Sequence, residues 1–163
     1  MVPGRPLTTG EVVAHHGVAP GSTMARPFGG LTVIDWDFCA PGDPIQDLVF
    51  SAWQWVPLWA DAAAVAQRHG EAMTLVATGT RLAALADGYR ASVQQRADLV
   101  DACIHQAGKH ADDLEAMAVT DPLFAALVEL GVARNARSDA RWVAANQAAL
   151  SAAVRGAAGV PSG

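Results

Sequence analysis

Two carboxylates one residue apart, Asp35 and Asp37, end the run Val33-Ile34-Asp35-Trp36-Asp37-Phe38, just ahead of a Pro/Gly turn, Pro41-Gly42-Asp43-Pro44. Paired oxygen donors delivered this way suit a divalent metal ion. Upstream stands the pair His15-His16. Imidazoles titrate near neutral pH and so suit proton transfer. Adjacent residues of an extended chain point to opposite sides, so one histidine is expected to pack inward and the other to reach a cleft. Plainer readings exist for the same residues. Asp37 can cap the following turn, Asp35 can accept backbone amides, and Asp43 can cap a helix. Asp47, in the first turn of that helix, can stabilise it and tie down a neighbouring loop. On this reading Asp35 and Asp37 are the metal candidates, His15 and His16 are the candidate bases, and Asp43 and Asp47 are structural.

The elements around these residues follow from punctuation and period. Residues 1–10 are rich in Pro, Gly and Thr and form an irregular lead-in. Glu11–Ala14 makes a short strand, and Pro20-Gly21 makes the stretch after the histidines a loop. Thr23–Phe28 and Leu31–Asp35 flank Gly29-Gly30, a pair that tolerates the positive φ of a tight hairpin, with Pro27 marking the first arm as an edge. Asp43-Pro44, with Gln46 three residues past the cap, starts a helix from Pro44 to about Trp55, ended by Pro57. Its core stripe is Ile45, Leu48, Val49, Ala52 and Trp55 or Val56.

Beyond it the pattern stays helical, with breaks at Gly70, near Gly79 and at Gly88 and Gly108. Helices are predicted over 59–69, 74–92 and 96–118. Asp121-Pro122 opens another that ends at Gly131, and Ser138 caps a last one from Asp139 to about Val154. Residues 157–163 form a disordered tail. The chain thus divides into the lead-in, a hairpin-and-loop part over 11–43, a helical part over 44–156, and the tail.

Composition agrees with a mainly α protein. The 163 residues are 52% hydrophobic, much of it alanine, so close-packed helices rather than bulky side chains build the core. A formal charge of −5 without any Lys/Arg run gives no electrostatic footprint for nucleic acid or an anionic membrane. No apolar run approaches the ~20 residues of a membrane span, and Met1–Pro6 does not read as a secretory signal. Cys39 and Cys103 lie far apart in no metal-ligand spacing. The expectation is a cytoplasmic protein with no nucleic-acid or membrane partner.

The order of motifs resembles a known family. His15-x-x-x-x-Pro20, a Gly-Gly hairpin, Val33-Ile34-Asp35-Trp36-Asp37-Phe38, Pro41-Gly42-Asp43 and Asp47-Leu48 resemble the carboxy-terminal lobe of the aminoglycoside phosphotransferase and choline-kinase-like family. The region around Tyr89, with Asp121-Pro122 and Gly131-Val132, resembles that family's helical subdomain. The resemblance spans residues 11–154 and implies a protein-kinase-like carboxy-terminal lobe. It also implies ATP-dependent phosphoryl transfer to a small-molecule hydroxyl, with magnesium and ATP as cofactors. Such enzymes carry a loop, HxDxxxxN, whose aspartate handles the hydroxyl proton and whose asparagine binds magnesium, while a later aspartate bridges magnesium to phosphate. Matched position by position, His15 falls on the loop histidine, Gly17 on the catalytic aspartate, Ser22 on the asparagine, and Asp35 on the magnesium aspartate.

Those departures touch the chemistry itself, and a further one concerns the nucleotide. Ten residues precede Glu11, where the family carries its amino-terminal ATP lobe; no GxxxxGK[ST] element occurs, and the sole lysine is Lys109. The expectation is a truncated, catalytically impaired phosphotransferase relative, with His16 as a candidate substitute for the lost base. The alternative is a pseudo-phosphotransferase that binds a small molecule or docks a partner. The absent lobe should bare apolar surface around Val12, Val13, Val18 and Phe28, favouring a homo-oligomer or partner protein. Trp53, Trp55 and Trp59, with Trp36 and Trp142, either fill the core or line a cavity for an amphipathic or cationic ligand. Asp98, Asp101, Asp112, Asp113 and Glu115 either attract a polycation or form a solvated helix face.

Overall fold

The computed structural model describes residues 6–68 and 73–156. The described chain is mainly helical. Four three-residue strands form two antiparallel pairs: β1 (Val12–Ala14) with β4 (Ala40–Gly42), and β2 (Thr23–Ala25) with β3 (Leu31–Val33). A 3-10 turn, Pro20–Ser22, precedes β2. Seven helices follow among the described residues: α1 (Gln46–Trp55), α2 (Ala62–Arg68), α3 (Leu75–Gly88), α4 (Val93–Ala118), α5 (Pro122–Glu129), α6 (Val132–Ala145) and α7 (Gln147–Gly156). The predicted disordered tail lies outside the described residues, as do the first five residues of the lead-in and Gly70.

Helix α4 is the spine. Its buried side chains, Arg96, Leu99, Val100, Cys103, Ala107, Ala111 and Leu114, recur every three or four residues and line one face. Against that face pack α1, α5, α6 and α7, while α3 lies on α7. Small residues let the helices approach closely, and Leu58, Leu82, Leu99 and Leu150 fill what alanine leaves. Arg96 is buried but paired: its guanidinium donates to Asp87 at 2.6 Å and to the Ala91 carbonyl at 3.0 Å, stitching the α3–α4 turn. None of the described helices is long and apolar enough to cross a membrane.

The hairpin forms around Gly29 and Gly30, at φ +92° and +84°, as their lack of a Cβ allows. The pairing of β4 with β1, in register Val12↔Gly42 and Ala14↔Ala40, adds a second two-stranded sheet to the single hairpin predicted. A Pro-Gly segment reads as a turn, and here it serves as an edge strand, where Pro41 can spare its missing donor.

Several helix boundaries differ from expectation. α4 starts at Val93, because Ser92 and Gln95 form a reciprocal capping box, and it runs through Gly108 without a break. α1 starts at Gln46 rather than Pro44. Asp43 accepts the Ile45 amide at 2.9 Å, whereas the Gln46 side-chain oxygen is buried without a partner, so no capping box forms there. α2 begins at Ala62 rather than near residue 59. Gly131, in the left-handed region at φ +87°, ends the α5 turn as expected, but it also begins α6. Ser138 therefore sits inside α6, and the predicted last helix is two, parted at Asn146.

Gly79 does not break α3; it lies inside it, buried against α7. A Cβ at residue 79 would lie 2.9 Å from the Ala153 Cβ. Gly79→Ala gains about 1 kcal/mol of helix propensity, against about 1–3 kcal/mol for overpacking a tight contact. We expect a net loss, read as a lower urea midpoint; a higher midpoint would mean that α3 and α7 pack less tightly than described.

Candidate functional site

The candidate site is built where the loop after β1, the turn after β3 and the start of α1 meet. Both oxygens of Asp47 are committed: Oδ2 accepts the His15 amide at 2.8 Å and Oδ1 the His16 amide at 2.9 Å. A carboxylate in the first turn of a helix is favoured by the exposed N–H groups there, and its hydrogen bonds to backbone amides are charge-assisted. Asp47 thus fastens the loop to the helical layer.

His15 is 2% exposed and works as a post. Its Nδ1 accepts the Gly17 amide at 3.2 Å, which leaves the proton on Nε2, donated to the Ile34 carbonyl at 2.8 Å. The ring meets Trp36 edge-on at 4.7 Å. With both nitrogens engaged, His15 joins the loop to the residue preceding Asp35. His16 adopts φ +61°, a conformation that L side chains enter at a cost of about 1 kcal/mol, and its Nε2 is buried without a partner.

Asp35 is also left-handed, at φ +66°, and exposed. Its carboxylate bonds to no described residue, so the backbone-amide role weighed for it is not the one it plays. Asp37 lies exposed within the turn that Cys39 closes onto the Trp36 carbonyl at 3.1 Å. The capping bond considered for Asp37 does not form among the described residues. Ser22 is buried, and its hydroxyl is spent inside the loop: it donates to the Gly17 carbonyl and accepts the Ala19 amide at 2.9 Å. Tyr89 donates its hydroxyl to the Pro44 carbonyl, tying the end of α3 to the start of α1. Partial burial, then the nearby Asp47 and Asp43, push its phenol pKa up.

The tryptophans do not gather into one group. Trp53, not Trp55, is the buried one of α1, and Trp55 and Trp36 are exposed. The α4 acidic residues are exposed and matched within the fold. Asp112 and Glu115 clamp Arg137, Asp113 pairs with Lys109, and Asp98 and Asp101 accept from Gln94 and Gln147.

A second constellation, spread over distant parts of the sequence, escaped the sequence reading. Asp139 of α6 accepts the Trp53 indole N–H at 3.0 Å and the Ala60 amide at 2.9 Å. With Phe50, Gln54, His110 and Asn135 it lines a cavity of about 350 Å³. Burial raises the Asp139 pKa, the two donors pull it back, and Asp61 raises it further. Burial lowers that of His110, with Asp113 opposing and Lys109 adding to the effect. Nothing local announces this pocket: Trp53 and Asp139 are 86 residues apart.

The described chain, mainly helical with two small two-stranded sheets, is compatible with a helical kinase-like domain. The family model described as the phosphotransferase enzyme family matches residues 3–85, and the chain belongs to that family. The match runs from the lead-in through the histidine loop, the Asp35 turn and α1 into α3; the resemblance traced from there to residue 154 lies beyond it. No curated protein and no solved structure gives a significant match.

If Asp47 is the fastening, Asp47→Ala should cost about 2–4 kcal/mol, since charged hydrogen bonds contribute about 1.5–3 kcal/mol each. Asp47→Asn, which keeps an acceptor, should lose less. Urea unfolding measures both; an Asp47→Ala protein as stable as wild type would mean that the loop is held by other contacts.

Proposed function

We propose that this protein is a small-molecule phosphotransferase relative with impaired chemistry, retaining the aspartate that faces magnesium and phosphate and lacking its two loop partners. The observation that carries the reading is the contrast between Asp35 and Ser22. The Asp35 carboxylate is exposed and bonds to no described residue. The Ser22 hydroxyl is turned into its own loop. Gly17, at the base position, has no side chain to take a proton from an attacking hydroxyl. By the same reading the chain corresponds to the lobe that carries the catalytic loop, and ATP and the acceptor hydroxyl are the substrates implied.

The donor set does not fit a resident magnesium. Asp35 fits as one carboxylate ligand, Ser22 does not fit as a second, and among the described residues no three His, Cys, Asp or Glu side chains group to hold a metal. Nor does a lysine reach the site, since Lys109 is engaged with Asp113 on α4. His16 stays a candidate base by its place beside Gly17 and its unpartnered Nε2.

Calorimetry with magnesium and ATP tests the reading. We expect weak binding in the wild type that is lost in Asp35→Ala. The structure also leaves room to rebuild the base: a Cβ on Gly17 would meet only His15 ring atoms, at 3.5 and 3.6 Å, which is ordinary contact. Gly17→Asp should therefore fold and raise phosphoryl turnover by roughly 10²-fold, the lower end for a positioned base. Binding unchanged in Asp35→Ala would count against the reading, as would Gly17→Asp turnover at the wild-type level.

A second reading, a docking module, is favoured by one observation. The strand layer exposes Val13, Met24, Phe28, Leu31, Trp36 and Phe38, with Phe28 fully exposed. Apolar side chains so concentrated favour association with a second copy or a partner protein. Light scattering across micromolar concentrations should then give a mass above that of one chain, reduced to one chain by Phe28→Asp with Phe38→Asp; a wild-type monomer throughout would end this reading.

A further inference from the structure

A groove between α4, the end of α6 and α7 holds about 450 Å³, within the range of small-molecule sites. Ala97, Ala144, Ala145 and Ala148 leave it open, because their methyl groups do not fill the space between the helices. The polar groups along it are ordered. Gln147, Ser151 and Arg155 stand four residues apart on α7, on one face and roughly 6 Å from one to the next along the axis. Asp101 of α4 accepts the Gln147 side-chain amide at 2.6 Å. α4 and α7 run antiparallel there, since Arg96 reaches the Val154 carbonyl at 3.4 Å while Asp101 meets Gln147. The groove therefore carries a carboxylate at one end, a hydroxyl midway and a guanidinium at the other.

All three groups keep bonding capacity. Ser151 is 7% exposed, yet its hydroxyl bonds to no described residue. The other two buried hydroxyl residues do bond: Ser22 within its loop, and Thr78 to the Thr74 carbonyl at 3.0 Å. A buried hydroxyl ordinarily has a partner, and this one opens onto the groove. Arg155 is exposed and bonds to no described residue. Asp101 engages Gln147 through Oδ1, and its Oδ2 has no described partner.

We propose that this groove binds a small dipolar molecule, an unbranched ω-amino acid, with its carboxylate at Arg155 and Ser151 and its ammonium at Asp101. The guanidinium and the hydroxyl both donate to carboxylate oxygens, the free Oδ2 accepts from the ammonium, and the carbon chain lies over the alanines. Separation selects the ligand. An α-amino acid carries both charges about one carbon and does not span groups two helical turns apart, and a simple acid or amine leaves one end unmatched. The groove contains none of His15, Gly17, Ser22 or Asp35 and shares no lining residue with the Asp139 cavity, so the proposal does not rest on the phosphotransfer reading.

The test uses the whole chain and ε-aminocaproate as probe, following the Gln147 side-chain amide in proton–nitrogen spectra, with the peak identified by Gln147→Glu. Caproate, butylammonium and glycine serve as comparators: one charge, the other charge, and both charges without the separation. A saturable shift at millimolar ε-aminocaproate is expected, with no matching shift from any comparator. Arg155→Gln and Asp101→Asn, at exposed positions where the fold tolerates exchange, should each weaken binding at least tenfold. Ser151→Ala should weaken it roughly fivefold, the fold-change of one hydrogen bond. No saturation, a matching shift with a comparator, or any of the three variants binding as well as wild type would each overturn the proposal. No nucleotide enters the measurement, so its outcome is separate from that of the Asp35→Ala experiment.

Discussion

The fastening of the histidine loop by Asp47 is the constraint on which the strand-bearing part of the molecule depends. That part is made of three-residue strands in two-stranded sheets, and pairs of that size are not stable alone in water. Two carboxylate–amide bonds anchor it to α1, which is itself held by α4. From that anchor the order propagates outward: His15 reaches the Ile34 carbonyl, the Ile34 amide reaches the Ser22 carbonyl at 2.9 Å, and Asp35 follows in the chain. The position of Asp35 is thus inherited, through one buried imidazole, from α1.

This dependence separates what holds the shape of the candidate site from what would carry its chemistry. Residues that hold the geometry, Asp47 and His15, are separate from those that the proposed function sets at the reacting positions, Gly17, Ser22 and Asp35. A family member can exchange the second set without losing the first, because glycine fits the loop and serine bonds within it.

Much of the architecture was legible in the sequence where the signal was local. Asp121-Pro122 and Gly29-Gly30 specify their turns within four residues, and both formed as read. Asp43 accepts the Ile45 amide, but the cap residue of α1 is Ile45, without a side-chain capping bond, and the helix begins two residues later than read. What stayed hidden depended on partners far along the chain. Gly79 reads as a breaker until α7 is known to lie against it, and Pro41-Gly42 reads as a turn until β1 arrives beside it. Ser138 has the chemistry of a cap but no helix end to serve, since Gly131 had already opened the helix. In the site, the proposed role of Asp35 rests on motif order, and the structure adds its exposed, left-handed turn. The pocket at Asp139 was invisible, because helix contacts between residues 53, 110 and 139 leave no periodic trace.

The pairing of β1 with β4 has a consequence for dynamics. Ala14 and Ala40 face each other in that ladder, so everything from His15 to Cys39 is one excursion closed at its base. Little within it is buried: among residues 15–39 only His15 and Ser22 are, while the helices bury the leucines and valines. Free energy of local opening follows buried contacts, so this excursion is a low-stability foldon set on a much firmer base. Amide exchange in the loop and hairpin is therefore governed by sub-global opening, while that of α4 reports the whole domain. A molecule arranged this way can unlatch its Asp35 turn repeatedly without ever exposing the spine.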